Sequence, residues 1–156
     1  MRTFAYVEGL PVIEMEQGTE CGRIVDVFIS SNRITGLLVN MRGWFNRHRL
    51  LVLDQVSSIG DQAVMIRTKE VLTDCHIGKT DDTPLALGRC KLKGMELFSD
   101  SGEMLGLIED VYFSGEMGTI VGYKVTDGLL ADLTTGQKMC RGQHLILGKE
   151  RAILSN

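Results

Sequence analysis

Two aspartates are the first candidates for chemistry, because each closes a copy of one spacing: Gly18-x-x-x-Gly22-x-x-x-Asp26-Val27 and Gly102-x-x-x-Gly106-x-x-x-Asp110-Val111. A carboxylate so placed can act as a general base or bind a cation. Either role needs company: a histidine, a cysteine or a second acid at a ligand or proton-relay spacing. Neither Asp26 nor Asp110 has such a neighbour in the sequence. The reading that remains is architectural, with each carboxylate accepting backbone N–H groups where its strand bends. The two Gly-x-x-x-Gly segments are not phosphate loops, since neither a Gly-Lys-Ser/Thr ending nor a helix follows them. No catalytic residue, metal ligand or cofactor is assigned, and an enzyme is the function class least expected.

Other reactive side chains are scattered. Asp74-Cys75-His76, with Asp81-Asp82 nearby, offers metal-capable groups, but one Cys and one His fit no structural zinc spacing. His48 and His144 are isolated. Cys21, Cys75, Cys90 and Cys140 form no C-x-x-C pair and are expected to be reduced and mostly buried. The sharpest local feature is Arg42-Gly43-Trp44-Phe45-Asn46-Arg47-His48-Arg49, where arginines interleave with large aromatics. Guanidinium and aromatic planes can anchor a protein partner, or hold phosphates and stack on bases. The plainer alternative is a hairpin tip with solvated arginines. Arg42, Trp44, Phe45, Arg47 and Arg49 are the candidate interaction loop. The corresponding stretch of the second copy, Asp127-Gly128-Leu129-Leu130-Ala131-Asp132, is acidic and apolar, so a recognition role would belong to the first copy.

The elements that position these residues come from an internal repeat. Gly9–Val39 and Gly94–Val125 share a skeleton that runs through Gly18, Gly22, Asp26 and Gly36 in the first copy, and Gly102, Gly106, Asp110 and Gly122 in the second. Glu16-Gln17-Gly18-Thr19 and Asp100-Ser101-Gly102-Glu103 are turn signatures. Long strands are expected after them, from about Glu20 to Ser30 and Glu103 to Ser114. Each carries an interior glycine that marks a bulge, a bend or a close backbone approach. Alternation places Ile24, Asp26 and Phe28 on one face and Val25, Val27 and Ile29 on the other. Further strands are expected at Ile34–Met41, Leu50–Leu53, Ala63–Arg67, Thr119–Thr126, His144–Leu147 and Arg151–Leu154, with single helical turns at Lys69–Leu72 or Leu85–Leu87. The organisation expected is a module over residues 1–72, a linker over 73–88 and a second module over 89–156.

Composition sets the bounds. With 156 residues, 44% hydrophobic and 24% charged, the chain is an ordinary folded protein of one domain or two small ones. The net charge of −3 gives no global pull toward nucleic acid or an anionic membrane. No apolar run approaches the ~20 residues needed to cross a bilayer, so membrane insertion is not expected. The N-terminus reads unlike a signal peptide, and the cytoplasm is the default location.

The pattern resembles the photosynthetic-reaction-centre barrel, or PRC-barrel, family. The matching elements are Gly9-Leu10-Pro11-Val12, Gly18-x-x-x-Gly22-x-x-x-Asp26-Val27, Gly36-Leu37-Leu38-Val39 and the closing run Val56–Val64, with a second match from Gly94 to Val125. The resemblance implies an all-β fold of two tandem small barrels and a role as an interaction module. Relatives include the cytoplasmic domain of the reaction centre H subunit and the C-terminal domain of the ribosome maturation factor. The chain is most similar to stand-alone bacterial PRC-barrel proteins. A non-catalytic cytoplasmic adaptor is expected, binding another protein through a barrel face or the Arg42–Arg49 loop. Association with RNA or ribosomes, a small-ligand or metal-binding groove between the barrels, and homodimerisation are the alternatives.

Overall fold

In a computed structural model the structure describes residues 1–43, 47–75, 81–115, 118–127, 138–142 and 144–156. In chain order the elements are β1 (Arg2–Thr3), α1 (Phe4–Val7), β2 (Pro11–Glu14), β3 (Thr19–Ser30), β4 (Arg33–Met41), β5 (His48–Val52), β6 (Val56–Ile59), β7 (Val64–Ile66), β8 (Leu72–Asp74) and β9 (Thr83–Pro84). The second copy supplies β10 (Glu96–Ser99), β11 (Met104–Phe113), β12 (Ile120–Thr126), β13 (Lys138–Cys140), β14 (His144–Leu147) and β15 (Arg151–Ser155). A 3-10 turn forms at Lys69–Val71, whereas residues 85–88 are a bend rather than a helical turn.

Each copy builds one sheet. The first runs β6-β7-β2-β3-β4-β5-β8 and the second β14-β15-β10-β11-β12-β13. The copies superpose pair by pair: Val12 opposite Gly22 corresponds to Leu97 opposite Gly106, and Ile13 beside Met65 to Phe98 beside Ile153. The long β3 and β11 are both irregular. Their registers slip opposite β2 and β10 beside Gly22 and Gly106, and slip again between Ile24 and Asp26, and between Ile108 and Asp110. Side chains at the glycines are excluded by neighbouring backbone. A β-carbon on Gly22 would overlap the Asn40 carbonyl, and one on Gly106 would lie 2.7 Å from the Thr126 carbonyl oxygen.

The second slip corrects the simple alternation. An extra residue, Val25, sits in the strand, so its face parity reverses there. Ile24, Val27 and Ile29 face one core together, while Phe28 faces the opposite way and joins Leu38 and Cys75 in a separate cluster packed by Val25, Leu50 and Leu87. Asp26 therefore does not share a continuous face with Ile24 and Phe28.

The two sheets do not close independently. β1 leaves the first copy and pairs with β11 of the second, Arg2 opposite Phe113 and Thr3 opposite Tyr112. The strand ahead of the second copy, β9, pairs with β3 of the first, Pro84 opposite Phe28 and Thr83 opposite Ile29. Phe28 and Tyr112 are equivalent in the repeat, so the exchange is reciprocal. The hairpin tips also meet: the Ile34 N–H donates to the Gly118 carbonyl at 2.7 Å and the Ile120 N–H to the Asn32 carbonyl at 2.9 Å. One buried cluster consequently spans both copies, with Ile24, Val27, Leu37 and Leu51 from the first and Ile108, Val111, Tyr123 and Val125 from the second. A module of about half this length buries only ~60% of its unfolded surface, and the shared core supplies what each alone lacks. The stretch read as a linker is part of this packing. Leu72–Asp74 forms β8 against β5, and Leu85 is fully buried.

Candidate interaction surfaces

The repeated aspartates sit at the two exchange points. The Asp26 carboxylate accepts the N–H groups of Val27 (2.8 Å), Ala86 (2.9 Å) and Leu87 (2.9 Å). Asp110 accepts those of Phe4 (2.9 Å), Ala5 (2.9 Å) and Val111 (2.7 Å). Each aspartate thus ties down the incoming segment of the other copy. Both are buried, and burial pushes the Asp26 carboxyl above its ordinary range against the pull of its N–H donors. The strand slip just before each aspartate turns the carboxylate toward this crossing. Gly18 and Gly102 lie in hairpin turns with φ of +71° and +90°. Gly36 and Gly122 lie on β4 and β12 against the next strand, a β-carbon there meeting Leu50 and the Cys140 carbonyl respectively.

The arginine loop is resolved into parts. Arg42 and Arg47 are exposed, held by the Met41 N–H donating to the Arg47 carbonyl (2.8 Å) and the Arg42 N–H donating to Cys21 (2.9 Å). Arg49 is engaged: it stands opposite Asp74 in the β5–β8 pair and its guanidinium lies 2.5 Å from that carboxylate. Trp44 and Phe45 lie outside the described residues. His76 does too, while His48 is half-buried in β5 and His144 is exposed. Among the described residues no group of three or more His, Cys, Asp or Glu is placed to hold a metal ion. The four cysteines are unpaired, with Cys21 and Cys75 buried, Cys140 half-buried and Cys90 exposed. Two grooves lie where each hairpin tip meets the other copy. One, of about 460 Å³, is bounded by Arg2, Leu53, Ser58 and Gly115; the other, of about 700 Å³, by Asn32, Thr119, Arg141 and His144.

One surface was not singled out by the sequence. Across the second sheet, Ile146 lies opposite Ile153, Ile153 beside Phe98, and Phe98 opposite Met104. These form one row over β14, β15, β10 and β11. Ile146 is 58% exposed, Met104 52% and Ile153 39%, with Phe98 half-buried between them. Single exposed apolar residues are ordinary, whereas a contiguous row with a polar margin is a candidate contact surface. The margin is the Arg151–Glu96 ion pair at 3.0 Å, one step along on the same face. The first copy holds Ser58, Met65, Ile13 and Glu20 at the equivalent places, which breaks the row at both ends.

The PRC-barrel domain model matches this chain in two segments, residues 2–72 and 86–147. The chain belongs to the PRC-barrel family. It is also similar to the uncharacterised protein YrrD of Bacillus subtilis (strain 168), with 27% identity over 161 residues that span 100% of this chain and 88% of the other. The second matched segment begins at Ala86, inside the stretch read as a linker and at one of the N–H groups held by Asp26. No helix among the described residues is long and apolar enough to cross a membrane. The architecture is that of two tandem PRC-barrel domains, with the qualification that each lends its opening strand to the other.

Proposed function

We propose that this PRC-barrel pair is a non-catalytic interaction protein that docks another protein on the outer face of its second sheet. The row Ile146–Ile153–Phe98–Met104 carries the reading. Burying such side chains against a partner gains roughly 25 cal/mol for each Å² of apolar surface removed from water. The ion pair at the margin would set orientation more than affinity. The repeated carboxylates support a non-catalytic role, because each is occupied by backbone N–H groups. The first copy then serves as scaffold: it completes the shared core and holds the second sheet in shape.

The test is site-specific photo-crosslinking in the native host cells, with the photoreactive residue at position 146 or 98 and, for comparison, at 58. A discrete adduct at 146 and 98, absent at 58 and lost on Ile153→Asp, is expected. Equal labelling at all three positions, or none, would overturn the assignment. An Arg42→Ala/Arg47→Ala variant should leave the adduct unchanged; its loss would transfer the docking role to the loop.

A further inference from the structure

The bulge before each repeated aspartate carries different chemistry in the two copies. Val25 and Glu109 are the extra residues at the slips, and Leu38 and Lys124 stand opposite the aspartates on the next strand. In the first copy this pair is apolar: Val25 and Leu38 pack with Phe28, Leu50 and Leu87. In the second it is Glu109 and Lys124, which line a cavity of about 100 Å³ beside the crossing segments. A bulge re-aims a side chain, and here it turns Glu109 toward the crossing. One Glu109 carboxylate oxygen, Oε2, is shut away from water with no hydrogen-bond donor among the described residues. The Lys124 Nζ lies 4.0 Å from it, beyond hydrogen-bond range. A carboxylate oxygen so placed costs free energy until a donor reaches it.

Three further charged residues line the cavity: Glu8, Lys93 and Asp110. Asp110 is taken up by the N–H groups of Phe4, Ala5 and Val111. Glu8 and Lys93 are equivalent in the repeat and opposite in charge, each preceding the glycine, Gly9 or Gly94, whose N–H donates to the long strand of its copy. Two carboxylates and two ammonium groups therefore remain to face one space. We propose that this cavity binds a small zwitterion, an α-amino acid with a side chain no larger than a methyl group. Its ammonium would donate to Glu109 Oε2 and Glu8, and its carboxylate would accept from Lys124 and Lys93. A lone anion would meet two carboxylates and a lone cation two ammonium groups, whereas a ligand with both signs is matched throughout. The space equals the liquid volume of about three waters, which about five covalently joined heavy atoms fill. Ala5 and Ala86, with only methyl side chains, leave it open. The site is separate from the apolar row, so either reading can fail alone.

The probes are glycine and L-alanine, with acetate, methylammonium and L-leucine as controls, added to the full isotope-labelled chain. Both amino acids should shift the backbone amide resonances of Ala5, Glu8, Lys93, Glu109 and Lys124 and saturate, and the controls should not. Glu109→Gln should weaken binding about tenfold, the size expected when a hydrogen bond loses its charged acceptor. Installing the first copy's own pair, Glu109→Val with Lys124→Leu, should leave thermal unfolding cooperative and abolish binding. The proposal is overturned if neither amino acid shifts these amides at tens of millimolar, which would leave Glu109 to an ordered water. It is equally overturned if acetate or methylammonium alone produces the same shifts, an adventitious ion only, or if L-leucine binds as well as glycine. Unchanged binding by Glu109→Gln, or binding by the folded double variant, would overturn it too.

Discussion

Replacing Asp110 by alanine should open the molecule at a place remote in sequence, the N-terminus. Three N–H groups lose their acceptor: those of Phe4, Ala5 and Val111. Ala5 is exposed and water can take over, while Phe4 and Val111 are buried. Each orphaned buried donor costs about 1–3 kcal/mol, and relief from burying a carboxylate offsets part of the sum. The expected net loss is about 3 kcal/mol, against a total stability of roughly 5–15 kcal/mol for a domain, so the variant stays folded and measurable. Urea unfolding should give one transition at a lower midpoint, because the core is shared. Amide exchange of residues 2–8 should accelerate by roughly a hundredfold, since each ~1.4 kcal/mol is tenfold. Asp26→Ala should do the same at residues 83–87. The reasoning is refuted if Asp110→Ala costs under about 1 kcal/mol, or if exchange rises around 110–113 while 2–8 stay protected.

Removing the Tyr123 hydroxyl should help the fold. It is fully buried, has no hydrogen-bond partner among the described residues, and burial pushes its pKa up. Tyr123→Phe should raise stability by about 1 kcal/mol in urea titration, and a loss of that size would reveal a partner. Gly118→Ala should cost about 2–4 kcal/mol, because φ is +66° and the β-carbon would overlap Leu53 and approach the Ile34 carbonyl oxygen to 2.7 Å; thermal unfolding reads this. Glu14 is held below the usual carboxylate range, first by the Thr19 hydroxyl at 2.6 Å and then by the Gln17 N–H. A carboxyl depressed in the fold lends stability above its ordinary value of 4.5, and that contribution is lost as pH falls through the folded value. The destabilisation caused by Glu14→Gln should therefore be present at pH 7 and shrink below about pH 4.5, as unfolding curves across that range will report.

Much of the frame was legible in the sequence. Glycine spacing, turn signatures and apolar runs located the repeat, the long bent strands and the family. Three things were not legible, each for a physical reason. β1 and β9 are two residues long, and no pattern in so short a stretch tells which strand it will pair with. The slip at Val25 adds one residue to β3, and the sequence does not mark where a bulge falls. The apolar row depends on cross-strand register: Ile146 and Ile153 each look like ordinary strand residues until pairing sets them side by side with Phe98 and Met104. The arginine loop was conspicuous by composition, yet Arg49 is occupied by Asp74, a partner that only the fold supplies.

The reciprocal exchange of β1 and β9 has the geometry of a domain swap made within one chain. A single copy folded alone would extend its opening strand with nothing to receive it and leave its own long strand uncovered. The remedy is a second identical copy doing the same, a swapped homodimer. Duplication and fusion of such a gene would convert a concentration-dependent partnership into an intramolecular one, with the connecting segment setting an effective concentration in the millimolar range. Halves that could no longer separate would be free to diverge. One face could become apolar without every copy in the cell sticking to every other.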